Sequence, residues 1–312
     1  MLMALDFKGR VAIVTGAGNG LGHEHAVALA KRGAKVVVND LGGPRDGSVA
    51  GDGSGGSVSA AQKVVDEIIA AGGEAIANGA SVTDFAAVEA MVKQAMDTWG
   101  RVDILINNAG ILRDKSFSKM ELADFRLVLD VHLMGAVHCC KAVWPIMNAQ
   151  KYGRIVMTTS SSGLYGNFGQ SNYSAAKLAL VGLMQTLAIE GAKNDIRVNA
   201  LAPTATTRMT EALLSKEMAQ ALNPAAVVPA MLVMASQDAP TRMILCAGAG
   251  GFEAAHISLT QGIYLGHADD TADQLAARLA QVTDRAGDSV PQSGNAQGAL
   301  EVGKALAAAG RK

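Results

Sequence analysis

Cysteine is scarce in this chain: only Cys139, Cys140 and Cys246 are present. The number is odd, two are adjacent and none has zinc-ligand spacing, so they read as reduced helix and strand residues, and no metal site is expected. Charge is also thinly spread, with 27 Lys and Arg against 28 Asp and Glu, a formal net charge of -1. With no basic stripe, the chain lacks the electrostatic footprint of a nucleic-acid binder. No uninterrupted apolar run reaches the roughly 18 residues of a membrane span. Residues Met1 to Gly9 lack a basic segment followed by an apolar signal core, and Ala308-Ala309-Gly310-Arg311-Lys312 lacks the small-basic-leucine peroxisomal address. The expectation is a soluble cytoplasmic protein with neither a membrane nor a nucleic-acid partner. There is no internal repeat.

What the chain does have is length and apolar content: 312 residues, 49% hydrophobic, enough to bury a large core as one domain or a domain with a tail. Short β-rich runs alternate with apolar-periodic helical stretches, which requires crossover connections and predicts a doubly wound α/β parallel sheet. The first run, Arg10 to Val14, ends in Thr15-Gly16-Ala17-Gly18-Asn19-Gly20-Leu21-Gly22 and leads into a helix through Ala26, Leu29 and Ala30. Such a turn lets backbone approach a pyrophosphate, and the helix behind it offers free N–H groups and the positive end of its dipole. A tight structural connection is the plainer reading of the glycines alone. His23 and His25, two apart on this helix, read as surface or cap-region residues rather than ligands.

The second strand, Ala34 to Asp40, ends in a carboxylate about 20 residues past the glycines, where it can accept hydrogen bonds from an adenosine ribose. Asp40 would repel a 2′-phosphate, which favours NAD over NADP; Arg45 is near enough in the loop to leave NADP open. Gly42 to Ser57 has no apolar period and reads as an inserted loop. A helix through Val64, Val65, Ile68 and Ile69, a strand at Glu74 to Ala77, a helix ending near Trp99 and a strand ending in Asn107-Asn108-Ala109-Gly110 follow. A long helix is expected over roughly Glu121 to Ala149, a strand at Ile196 to Pro203 and a last strand at Arg242 to Cys246. Peripheral helices are expected at Thr271 to Val282 and Gly298 to Ala308.

The chemistry concentrates between Ser160 and Lys177. A strand-like Arg154-Ile155-Val156-Met157-Thr158-Thr159 delivers Ser160 to a strand's carboxyl end, and the alanine-rich run from Ser171 predicts a helix with Tyr173 and Lys177 four apart on one face. A phenol is a poor base at neutral pH, but a neighbouring ammonium favours its phenolate. Tyr173 is therefore expected to exchange a proton with a substrate oxygen, Lys177 to lower its pKa, and Ser160 to hold the same oxygen.

These motifs together resemble the short-chain dehydrogenase/reductase family over roughly residues 7 to 266: the T-G-x-x-x-G-x-G turn, Asn107-Asn108-Ala109-Gly110, and Ser160 with Tyr173 and Lys177. The resemblance implies a Rossmann-type sheet of order 3-2-1-4-5-6-7 in a single domain, 1–266, with a helical extension at 267–312. It implies that Gly16, Gly18, Asn19, Gly20, Leu21, Gly22, Asp40, Ser81, Val82, Asn108, Tyr173 and Lys177 contact the cofactor. The loop Ala205-Thr206-Thr207-Arg208 is expected to close over it. Most relatives have Pro-Gly where this chain has Pro203-Thr204, and asparagine where it has His132. In the family that asparagine helps hold a water connecting the lysine to solvent, a role a histidine ring nitrogen could take; a packed structural histidine is the alternative. Relatives usually pair through their long helices, so a homodimer or homotetramer is expected.

Within the family, Asn39 to Gly43, Asn107 to Phe117, His132 and Tyr165 to Tyr173 look most like the (3R)-hydroxyacyl-CoA dehydrogenase branch found in peroxisomal multifunctional enzymes. That points to NAD-dependent interconversion of a secondary alcohol and a ketone, with a 3-hydroxyacyl thioester as substrate. A steroid or other bulky-alcohol dehydrogenase and a 3-oxoacyl reductase are the alternatives. A noncatalytic NAD-sensing scaffold would need the glycine turn but not Ser160, Tyr173 and Lys177 together.

Overall fold

The computed structural model describes residues 4–43, 46–47, 59–206 and 215–310. Arg45, Thr207, Arg208 and most of the expected 42–57 loop lie outside them. In chain order the first half runs β1 (Val11–Thr15), α1 (Gly20–Lys31), β2 (Lys35–Asn39), α2 (Ser59–Ala70), β3 (Glu74–Asn78), α3 (Phe85–Trp99) and β4 (Ile104–Asn107). Then come α4 (Leu122–Leu129), α5 (Gly135–Gln150), β5 (Gly153–Thr158), α6 (Ser161–Tyr165), α7 (Ser171–Gly191) and β6 (Ile196–Thr204). The last third holds α8 (Lys216–Ala221), α9 (Val228–Ala235), β7 (Ile244–Gly248), β8 (Gly251–Ala255), α10 (Thr271–Ala277), α11 (Leu279–Val282) and α12 (Asn295–Ala308).

The strands form one sheet of order β3-β2-β1-β4-β5-β6-β7-β8, as expected from sequence but with an eighth strand added beyond β7. The six pairings from β3 through β7 are all parallel. Both faces of such a sheet are covered, so its central strands carry almost no exposed residue: β1, β4 and β5 are buried along their whole length. Each fully buried valine, leucine or isoleucine there contributes roughly 1.5–3 kcal/mol. Helix ends are set locally. Asp84 caps α3 by accepting from Ala87 N–H at 3.2 Å, and Gly100 stops it in the left-handed region at φ 73°.

The expected long helix is present but not uniform, because Asp130–Met134 forms a π turn between α4 and α5. The stretch 122–150 and α7 are long and apolar enough to cross a membrane by composition. Here α5 packs on β4 and β5, and α7 on β5 and β6, as core helices do.

One expectation fails in α1. His23 is at the surface, with Nε2 2.7 Å from Glu67 and Nδ1 3.2 Å from Glu24, but His25 is fully buried. Helical spacing explains it: Gly22, His25, Ala26 and Leu29 share the inward face. Among the described residues neither ring nitrogen of His25 has a partner, and burial pulls its pKa down to about 4.

The chain divides into two compact units, Met1–Ala254 and Ala255–Lys312, whereas the sequence reading places the boundary after residue 266. The second unit contains α10, α11 and α12, and its segment around Leu259 is bridged to Ser289.

Candidate active site

Parallel strands with crossovers leave their carboxyl ends open to a crevice, and a cleft of about 840 Å³ lies there. Gly16, Asn19, Gly20, Leu21, Asp40, Ser81, Val82 and Asn108 line it towards one side, Ser160, Tyr173 and Lys177 towards the other. Ala205 and Thr206 line it from the end of β6, and His132 reaches it from the π turn. The structure thus gathers nearly all of the site residues expected from sequence. Gly18 and Gly22 stand behind the wall.

The glycine turn is shaped by close approach. Gly16 has φ +61°, and a Cβ there would lie 2.8 Å from Ala109 Cα. A Cβ on Gly22 would strike the Gly16 carbonyl, and one on Gly18 would meet the Asp40 carboxylate at 2.8 Å. Asn108 explains how the turn is held: its side-chain amide donates to the Thr15 and Gly16 carbonyls, both at 3.0 Å, while Thr15 Oγ1 accepts from the Asn108 and Ala109 N–H groups. Both amide hydrogens of Asn108 are therefore spent on the turn. Asn19 precedes α1 in an extended conformation without a side-chain cap, which leaves the first-turn N–H groups facing the cleft. A dinucleotide fits this cradle: the turn has room only for backbone against a pyrophosphate, and Asp40 stands at the end of β2 where a ribose would lie.

At the other end, Ser160 caps α6, its Oγ accepting from Ser162 N–H at 3.2 Å. The same hydroxyl is close enough to the Tyr173 phenol to favour its phenolate. Lys177 is buried, donates from Nζ to the Thr158 carbonyl at 2.6 Å and lies 5.4 Å from the centre of the Tyr173 ring. The two side chains share one face of α7, as their spacing requires. The expected effect on the phenol is not what this geometry produces. Burial raises the Tyr173 pKa above its usual value, Asp114 raises it further, and the Ser160 hydrogen bond alone lowers it. Lys177 is not among the groups that shift it; its Nζ addresses a carbonyl, and desolvation pulls its own pKa down to about 7.

His132 is placed by the π turn, a feature that often re-aims a side chain at a functional site. Its ring packs edge-on to Tyr173 with centroids 5.2 Å apart, and a Cβ on Gly110 would collide with it. Nε2 lies 2.8 Å from the Ile111 carbonyl and 3.1 Å from the Ile111 nitrogen, so it serves one or the other according to tautomer. Nδ1 is buried without a partner among the described residues, and burial followed by the Lys177 charge holds the ring pKa down at about 3. His132 is a neutral imidazole here.

Asp114, Asn167 and Gln170, to which the sequence reading assigns no role, also line the cleft, at the end beside Tyr173. Asn167 and Gln170 lie within Tyr165 to Tyr173 and Asp114 within Asn107 to Phe117, two of the stretches that carry the resemblance, and that is the signal that points to them. Cys139 and Cys140 are buried with their thiols pushed up, Cys140 to about 12, and Cys246 is half-buried. Among the described residues no cluster of metal-ligating side chains occurs.

A family model for short chain dehydrogenases matches residues 53–218. The chain is 47% identical over 292 residues to Peroxisomal multifunctional enzyme A of Dictyostelium discoideum, covering 93% of this chain and 64% of that protein. It is 45% identical over 282 residues to a Putative short-chain type dehydrogenase/reductase of Mycobacterium tuberculosis, covering 90% and 96%. Full-length peroxisomal multifunctional enzyme type 2 from Drosophila melanogaster superposes with a TM-score of 0.78 at 37% identity, over 97% of this chain and 51% of that one. A 7α-hydroxysteroid dehydrogenase solved with NADH and 7-oxo glycochenodeoxycholic acid gives 0.71 at 31% identity, over 80% and 98%. The chain thus spans under two thirds of the multifunctional relatives and nearly all of the free-standing ones.

Proposed function

Since the chain belongs to the short-chain dehydrogenase family and is an oxidoreductase of CH–OH groups using a nicotinamide dinucleotide, we propose that it interconverts 3-hydroxyacyl and 3-oxoacyl thioesters with NAD. The observation that carries the chemistry is one cleft with the glycine turn and Asp40 at one end and Ser160, Tyr173 and Lys177 at the other. The names of the multifunctional relatives support the acyl substrate, and the carboxylate of Asp40 supports NAD.

A bound nicotinamide supplies the carbon that takes or gives the hydride. In the oxidative direction Tyr173 accepts the alcohol proton as the carbinol hydrogen leaves with its electron pair, and the Ser160 hydroxyl steadies the oxygen. Lys177 would hold the nicotinamide ribose and bias the phenol with its ammonium. His132 belongs in this reading as the proton link to Lys177, and with Nε2 taken up by Ile111 that link runs through Nδ1. Asn108 keeps the turn in its binding shape. Ser81 and Val82 would border the adenine, and Ala205 and Thr206, which line the same cleft, would lie against the cofactor. A homodimer or homotetramer completes the proposal; exposed Leu122, Met134, Leu178 and Ile189 on the long helices support it.

Initial rates with acyl-CoA thioesters, steroids and simple secondary alcohols, each with NAD and NADP, test this. Thioesters with NAD should be preferred, and Tyr173→Phe should lower kcat by about 10²–10⁴. Turnover that survives Tyr173→Phe removes the catalytic assignment. A steroid reacting where no thioester does leaves the chemistry and removes the substrate.

A further inference from the structure

The end of the cleft beside Tyr173 holds a carboxylate for which the hydride chemistry has no use. Asp114 follows β4, lines the cleft, and accepts from Gln170 Nε2 through Oδ2 at 2.7 Å. Gln170 is itself fixed. Its Oε1 accepts from Ser162 Oγ at 2.8 Å and from Asn167 Nδ2 at 3.0 Å, which leaves the amide one orientation, with nitrogen towards the acid. The backbone on both sides is pinned as well: Lys115 N–H donates to the Gly169 carbonyl at 2.9 Å, and Asn172 Nδ2 to the Arg113 carbonyl at 3.0 Å.

The charge of Asp114 is not neutralised locally. Its chain neighbours Arg113 and Lys115 turn instead to Asp124, at 2.6 and 3.4 Å, and among the described residues no ion pair reaches Asp114. Lys177 is the only lysine or arginine among the described residues lining the cleft, and it is spent on Thr158. A substrate carboxylate two bonds from the reacting carbinol would therefore meet an acid and, among the described residues, no free cation. Asp114 Oδ1 has no hydrogen bond among the described residues and can accept one from an N–H group on a neutral acyl carrier.

We propose that Asp114, oriented by Gln170, makes this site prefer a hydroxyacyl group whose carboxyl is masked as a neutral ester, thioester or amide over the free hydroxy acid. This rests on the acyl substrate proposed above and adds a rule about its charge. Because Asp114 is exposed at the mouth, solvent screens it, and the discrimination it provides is about tenfold rather than absolute.

The test pairs 3-hydroxybutanoate with its methyl ester. Each is measured for kcat/KM with NAD, and each as a competitive inhibitor of whichever secondary alcohol the enzyme oxidises. The wild type should favour the ester by about tenfold in both measurements, Asp114→Asn should narrow that ratio several-fold, and added salt should narrow it in the wild type more than in the variant. The salt series needs no variant and decides the matter if Asp114→Asn fails to fold. An ester-to-acid ratio near one in the wild type, or one that neither salt nor the substitution changes, overturns the proposal. Absence of turnover with both compounds removes the acyl reading alone; the inhibition arm still decides whether charge is discriminated, and no inhibition by the ester counts against the proposal.

Discussion

The backbone N–H of Gly18 donates to Oδ2 of Asp40 across 2.8 Å, tying the glycine turn after the first strand to the carboxylate that ends the second. Oδ1 of the same carboxylate accepts from Gly42 N–H at 2.7 Å. Asp40 is thus held rigidly at the cleft wall with lone pairs left over, and its orientation depends on the turn that seats the pyrophosphate.

If those lone pairs read a ribose diol, Asp40→Ser costs a charge-assisted hydrogen bond to NAD and removes the repulsion of a 2′-phosphate. We expect kcat/KM for NAD to fall about tenfold to a hundredfold while that for NADP rises. Steady-state rates with the two cofactors check this, and an unchanged NAD-to-NADP ratio would show that Asp40 serves the turn alone.

Ser160 is the hydrogen-bond donor that opposes the raised pKa of Tyr173. Oxidation requires the phenolate, so its rate rises with pH, and a higher phenol pKa moves that rising limb to higher pH. Ser160→Ala should therefore displace the limb upward and lower kcat by about 10²–10³ through loss of the oxygen-holding donor. The pH profile of kcat at saturating cofactor distinguishes this from simple misfolding, which would lower the whole curve without moving it.

His25 couples stability to acid. Its folded pKa of about 4 lies below the ordinary 6.5, so between those values the unfolded chain binds a proton that the folded chain does not. Stability from this group is present above pH 6.5 and is lost as the pH falls towards 4, by about 3 kcal/mol over the window. His25→Leu, close to isosteric and without unpartnered nitrogens, should flatten that fall and add about 1 kcal/mol at neutral pH. Urea unfolding at a series of pH values measures both. An equal acid slope in the variant would place the coupling elsewhere.

Local pattern made much of this protein legible before its structure was known. The alternation of β-rich runs and apolar helices implied the parallel sheet, and the glycine turn, Asp40 and the Tyr173–Lys177 interval are each set within one strand–turn–helix unit. The eighth strand was not legible, because Gly251–Ala255 is exposed for most of its length and lacks an apolar signature. His25 is buried although its residue type suggests the surface, because position on the inward face of α1 outweighs polarity there.

The sequence by itself determined which groups stand at the carboxyl ends of the strands, since strand order and helical spacing follow from short-range periodicity. Only the tertiary structure decided their electrical state. The raised Tyr173 phenol, the lowered pKa of Lys177, the neutral His132 and the Asp114 carboxylate, without an ion pair among the described residues, depend on desolvation and on partners brought together from distant segments. Both vary with three-dimensional packing, which residue spacing along one chain does not encode.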